Sequence, residues 1–221
     1  MRSRASVKRS GHGGRPKAIE VEQRNQDILR AAGETFLRAG FDGTTMDAVA
    51  DAAHISKRTL YARYSDKTVL FDAVLRDLIA RWLTPIGRFQ SEHGELRSTL
   101  LALARYLMTA ALAPQSVNVN RIILSEAQRR PEFGKLANEA GRKPALQVVA
   151  SILREHRLEL RSIDLEMAAE QFFALAVDSS LQLASLGIKI EATQIEQRVS
   201  SCVDLFLEGV RRPSSRGHQS G

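Results

Sequence analysis

The residues with the most to offer chemically stand between positions 54 and 67: Lys57, Arg58, Thr59, Tyr61, Ala62, Arg63 and Lys67, with Asp66 as the one acid. If they form a helix, at about 100° per residue and with Leu60 as the inward reference, Ser56 and Tyr64 fall about 40° to either side of Leu60. Arg58 and Ala62 then point almost directly away, Thr59 and Tyr61 flank that stripe, and Lys57 and Arg63 sit lower on the sides. Such a surface is basic, hydroxyl-bearing and slim, which suits a DNA major groove. Arg and Lys reach guanine O6 and N7, Thr offers a hydroxyl or a methyl, and Ala62 can approach a thymine methyl. Tyr61 and Lys67 are better placed for phosphates, Lys67 at a helix start where free backbone amides also favour anions.

Other chemistries find little support. There is no His-Glu-x-x-His, no Glu-x-x-His pair of the di-iron kind and no Cys/His dyad, so neither a metal nor a cofactor is expected and an enzyme built on a helical bundle is the weaker reading. Gly11-His12-Gly13-Gly14 follows no strand and lacks the Gly-Lys-Ser/Thr of a phosphate loop. Cys202 is the one cysteine, which excludes an intramolecular disulfide and points to a reducing cytoplasm.

The 221 residues carry a net charge of +7, and its placement is uneven. Residues 1–19 hold six bases and no acid, and residues 211–221 hold three bases and no acid. Residues 20–70 balance seven bases against eight acids. Contact with a polyanion must therefore come from a basic tail and a local patch rather than a body-wide field. Arg15 and Lys17 in the N-terminal arm suit an adjacent minor groove, and an arm so poor in apolar residues is expected to be disordered alone. A protein binding DNA through its tails alone, without sequence preference, is the competing reading. The longest apolar run, Phe172 to Val177, is six residues, far short of the ~20 of a membrane span, so no membrane is expected.

The elements that position these residues are helical. Ile28, Ala32 and Phe36 form one stripe, which Gly40 ends in a left-handed conformation. Thr44-Thr45-Met46-Asp47 reads as a capping-box-like start for a short second helix with Met46, Val49, Ala50 and Ala53 inward. Ser56 caps the third helix, Lys57 to Tyr64, and Ser65 or Asp66 caps a fourth from Lys67. Prolines mark the later edges: Pro85 closes the fourth helix, Pro114 ends one from about 95 to 112, and a segment from about 117 to 129 follows. Pro131 and Pro144 open two separate helices. Leu165 to Leu186 is apolar nearly all round, and Ile195, Val199, Cys202 and Phe206 repeat along the last helix. The expected fold is all-α, about nine helices. A disordered basic arm spans 1–19, a helix-turn-helix head 20–66, a C-terminal body 67–210 with a connecting helix over 67–83, and a disordered basic tail 211–221.

The run Gly40-Phe41-Asp42-Gly43-Thr44-Thr45-Met46-Asp47-Ala48-Val49-Ala50, followed by Ala53-His54-Ile55-Ser56-Lys57-Arg58-Thr59-Leu60-Tyr61-Ala62-Arg63-Tyr64-Ser65-Asp66-Lys67, resembles the DNA-binding head of TetR-family repressors over roughly residues 23–72. Arg121-Ile122-Ile123-Leu124-Ser125-Glu126-Ala127 with Pro131-Glu132-Phe133 resembles the AefR-type ligand domain. The resemblance implies a homodimeric repressor released from a palindromic double-stranded operator by a small-molecule effector. By position it places Thr44 and Thr45 on the DNA backbone, Lys57, Arg58, Thr59, Ala62 and Arg63 in the groove, and Tyr61 and Lys67 on phosphates, with Ser56 and Tyr64 completing the site. His54 departs from the usual Gly of the turn, and because His tolerates positive φ better than most residues, a strained left-handed conformation is expected there.

Polar residues in apolar helices need partners, which makes Arg105, Arg121, Glu126, His156, Asp178 and Gln182, together with Phe172, candidates for an effector pocket. Leu175, Ser179, Leu183, Ile195, Val199, Cys202 and Phe206, on the last two helices, are the candidates for a dimer interface.

Overall fold

A computed structural model describes residues 18–86 and 94–212. Nine helices span them. The first four are α1 (Ala18–Gly43), α2 (Met46–Ala52), α3 (Lys57–Tyr61) and α4 (Lys67–Ile86), followed by α5 (Leu96–Leu112) and α6 (Pro114–Glu126). Next come α7 (131–155), α8 (165–185) and α9 (Ala192–Val210). No strand occurs among the described residues; Leu160 and Arg211 form an isolated bridge.

Two apolar clusters hold the chain. One joins α1 to α4, with Ile28, Phe36, Leu60, Leu70 and Phe71 almost fully covered, and it extends into the body through Val119 and Ile122 of α6 and Phe133 and Leu136 of α7. The other joins α5, α7, α8 and α9 around Leu100, Leu103, Val149, Phe172, Val203 and Phe206. Packing therefore runs across the expected boundary at residues 66 and 67, because the first half of α4 belongs to the core of the head.

Several expectations need correction. The first helix begins at Ala18, inside the stretch assigned to the arm, and is kinked at Gly40 (φ 72°, ψ 179°). The N-cap of α2 is Thr45, whose hydroxyl accepts from the Ala48 amide at 3.1 Å, while Asp47 turns to Lys57 instead of closing a capping box. Pro114 opens α6 as well as following α5, since a missing amide at the first position forfeits no helical bond. Pro144 does not start a separate helix. The α-helical segments Pro131–Leu136 and Lys143–Glu155 are continuous through a π-turn, Ala137–Arg142, in which the Lys143 amide reaches the Asn138 carbonyl. A widened turn just before a proline relieves the clash that α-helical spacing imposes on the preceding carbonyls. A second π-turn, Ala174–Asp178, interrupts α8.

Arg211 and Arg212 do not belong to a free tail. The Arg212 side chain donates to the Leu160 carbonyl at 2.8 Å, and its amide to Glu159 at 3.0 Å.

Asp66 caps α4, accepting from the Thr68 amide at 2.8 Å and the Val69 amide at 3.0 Å. The Val69 amide and the Ser65 hydroxyl hold its carboxyl below the ordinary 3.8. A depressed carboxylate stabilises the fold above its unfolded value and loses that contribution as pH falls through the folded one. Asp66→Ala should cost about 1 kcal/mol in urea unfolding at neutral pH, with the difference from the parent closing as pH drops below 3.8.

Burial pushes the Cys202 thiol up to about 11. A maleimide or disulfide reagent at mildly alkaline pH should therefore label it slowly in the native chain and rapidly in denaturant, as mass spectrometry would record.

Candidate nucleic-acid interface and ligand cavity

Helix α3 is fixed from behind and at both ends. Leu60 is 0% exposed and the Tyr64 ring is buried, its hydroxyl donating to Asn25 Oδ1 of α1 at 2.8 Å. Ser56 has an extended backbone, and its oxygen accepts the Thr59 amide at 3.1 Å. Helical bonding continues past Tyr61, with the Ala62 amide on Arg58 and the Tyr64 amide on Leu60.

The turn before it is a Schellman closure of α2. The Ile55 amide bonds the Ala50 carbonyl at 3.0 Å and the His54 amide bonds Asp51 at 3.1 Å, which requires a left-handed residue at position 54. His54 has φ 52°, the one positive value outside glycine among the described residues, as its place in the sequence suggested.

The outward stripe is as the helical geometry demands. Arg58, Thr59, Ala62 and Arg63 are exposed, and Tyr61 is 50% exposed. The Arg58 side chain has no hydrogen-bond or ionic partner among the described residues. The Thr59 hydroxyl lies 2.8 Å from Ser56 Oγ, and Arg63 donates to Asn25 Oδ1 at 3.2 Å. Lys57 is paired with Asp47 of α2 at 2.6 Å, and that carboxylate raises the ammonium pKa through its hydrogen bond and its charge.

Lys67 donates to the Asp42 carbonyl at 3.2 Å and stands 4.6 Å from the Phe41 ring centre, so it braces the head from the side. Thr44 is not available to a DNA backbone: it is 1% exposed, and its hydroxyl donates to the Gly40 carbonyl at 2.7 Å, tying the kink to the start of α2. Tyr64, likewise, supports the surface from inside. Thr45 is exposed. Arg15 and Lys17 lie outside the described residues.

A cavity of about 360 Å³ opens in the body. Leu75, Ile79, Trp82, Leu83 and Ile86 of α4 form one wall, and α5, α6, α7 and α8 supply the rest, including Tyr106, Asn120, Asn138, Arg142 and Phe173. Of the seven candidates named from sequence, Asp178 alone lines it. Arg105 is exposed and pairs with Glu196 at 2.8 Å through two nitrogens. Arg121 donates to the Ser185 and Ala184 carbonyls at 2.7 and 2.9 Å, capping the end of α8. Glu126 is buried and pairs with Arg130, His156 pairs with Glu159 at 2.7 Å, and Phe172 packs on Phe206 in the core. Gln182 is exposed, while its neighbour Leu181 lines the cavity.

The residues missed, Trp82, Tyr106, Asn120, Asn138 and Arg142, come from four helices. The available signal was the Gly-Arg-Lys-Pro of 141–144, which disturbs an otherwise regular helix.

The face expected to pair with a second copy also changes. Val199, Cys202 and Phe206 are buried within the subunit. Leu175, Ser179 and Gln182 of α8 are exposed, Leu183 and Ile195 half-buried, and α9 turns Gln197, Ser201 and Leu205 outward. Leu175, Gln194, Arg198 and Leu205 border a shallow groove between the two helices.

The sequence model of bacterial regulatory proteins of the tetR family matches residues 28–74, and that of the C-terminal domain of AefR-like transcriptional repressors matches residues 98–209. The HTH-type transcriptional regulator RutR of Escherichia coli K12 is 33% identical over 94 residues, 42% of this chain and 42% of RutR, so the match spans about two fifths of that relative. A TetR-family regulator from Mesorhizobium loti has the same fold, with a TM-score of 0.80 at 24% identity over 86% of this chain and 98% of that one. The flavonoid-responsive regulator FrrA superposes with a TM-score of 0.67 at 28% identity, covering 89% of this chain and 100% of FrrA. With its head and its body each matched in register, the chain belongs to the TetR family of bacterial transcriptional regulators and carries an AefR-like C-terminal domain.

Proposed function

We propose that this chain is a homodimeric repressor that reads a near-palindromic operator with α3 and leaves it when a small molecule enters the cavity. The observation that carries the reading is a shared helix: α4 packs Leu70, Phe71 and Val74 into the head and lines the cavity with Leu75, Ile79 and Trp82. A ligand that displaces the second half of α4 acts on the support of α3. The exposed apolar and uncharged residues of α8 and α9, Leu175, Ser179, Ser201 and Leu205 among them, favour a second copy on that face and so two α3 helices per complex. Release requires that the ligand bind one head spacing better than the other.

The direct test is selection of fragments from random DNA by the purified protein, followed by a screen for compounds that release them. A two-fold-symmetric motif and its loss with a bound compound are expected; enrichment of no symmetric motif would leave the tail-only, architectural reading standing.

Within that experiment, Arg58→Ala should weaken the selected sequence by about 1–3 kcal/mol and relax one base position, with random DNA little changed, in titrations at fixed salt. Lys67→Ala should weaken both and lower the salt slope by about one.

The Lys57–Asp47 pair adds a third variant. Asp47→Asn releases an ammonium beside the groove face, so affinity for all DNA should rise and its salt dependence steepen, read as the slope of log affinity against log salt.

A further inference from the structure

The cavity wall carries a charge pattern that restricts what can enter. Its charged side chains among the described lining residues are Arg142, from the π-turn of α7, and Asp178, from the π-turn of α8. Arg142 Nη1 donates to both Asp178 oxygens, at 2.9 and 3.1 Å, and the guanidinium carbon lies 4.8 Å from the Phe173 ring centre. The pair is therefore net neutral and braced against an aromatic face. It still has something to offer, since Arg142 Nε and Nη2 engage no partner among the described residues and each carboxylate oxygen has a lone pair to spare.

The other polar groups of the wall are largely occupied. Ser116 donates to the Ala110 carbonyl, Tyr106 to the Trp82 carbonyl at 2.6 Å, and Asn120 to Ser185 at 2.9 Å. Asn138 adds an exposed side-chain amide, and the rest is Leu, Ile, Ala, Val, Gly, Trp and Phe.

We infer that the cavity selects neutral, mainly apolar molecules bearing a hydroxyl, such as alkylphenols, which place that group between Arg142 and Asp178. This rests on the reading of the cavity as the effector site. The reason is charge counting beside apolar walls, at a pair whose side chains are 34% and 45% exposed, so that solvent reduces the imbalance without removing it. An organic acid would put two negative charges around one guanidinium, and an amine would put two positive charges around one carboxylate. Either leaves a net charge at the half-exposed pair, a modest cost that a neutral hydroxyl avoids while donating to Asp178 and accepting from Arg142.

The test uses three probes that differ only in the head group: para-butylphenol, para-butylbenzoate and para-butylbenzylammonium. Trp82 is the one tryptophan of the chain and lines the cavity, so its fluorescence reports occupancy, with titration calorimetry as a second readout. The phenol should bind the parent about threefold or more tighter than either ion. Asp178→Asn leaves the guanidinium unmatched and should move the benzoate to first rank, while Arg142→Met should favour the ammonium.

A parent protein that takes either ion as tightly as the phenol, or variants that keep the parent ranking, would overturn the neutral class. In that case the cavity remains an effector site as long as one probe binds. If no probe alters Trp82 or releases heat, the inference and the effector reading fall together, whereas operator binding is measured separately and is unaffected. Should either variant lose its helical signal, the parent ranking decides alone.

Discussion

Phe41 is where the head and the body meet, and the placement of α3 depends on how it is held. The chain breaks its first helix at Gly40, whose φ of 72° lets the next residue turn back onto the core. There Phe41 stacks on Phe36 at 5.9 Å and meets the edges of Phe71 and Phe133 at 5.5 and 5.2 Å. Two cations close over it, Lys67 of α4 and Arg130 of the turn after α6, the latter 4.3 Å from its ring centre. Arg130 is tied in turn to the buried Glu126, and Arg129 reaches Asp42 at 3.0 Å. A buried carboxylate, its arginine, an aromatic ring and a kinked glycine thus form one connected joint between α6 and the start of α2.

That joint gives the body a second grip on the head besides α4. Helix α6 presents Val119 and Ile122 to the head core while Asn120 and Ile123 face the cavity, and α7 does the same with Phe133 and Gly134. Three helices therefore have one part in each environment. The π-turns lie on the cavity side of this arrangement, where an extra residue per turn breaks regular packing and leaves space that an α-helical ladder would close.

Much of this was legible in the sequence because the head relies on local rules. A serine before a basic run, a leucine opposite an arginine and an asparagine-like tolerance at His54 each fix a conformation within four residues, and the structure follows them. The lining of the cavity was not legible, because it is assembled from side chains more than 90 residues apart, as Trp82 and Phe173 are. Polar residues in apolar helices suggest ligand contacts, yet Arg105, Arg121 and His156 have partners on neighbouring helices or turns. The repeat of Val199, Cys202 and Phe206 announced a buried stripe without saying what buries it; the answer is the subunit's own α5 and α8. Thr44 fell to the same ambiguity: a hydroxyl at a helix start serves a phosphate or a carbonyl equally well, and here Gly40 takes it.

The charge distribution completes the physical picture. The body is nearly neutral, so on the proposed reading long-range attraction to DNA comes from the basic termini, while discrimination falls to a few side chains on α3. Two of those cations are already engaged within the head, Lys57 by Asp47 and Arg63 by Asn25, which holds them in place, and the Asp47 carboxylate also offsets the charge of Lys57. Arg58 stands alone among the described residues and retains its full set of donors. On the proposed function, a recognition surface built this way would give up non-specific affinity for selectivity, and a weak non-specific background would let a modest shift at the cavity empty the operator, because a strongly basic body would hold the protein on DNA whatever the positions of the two heads.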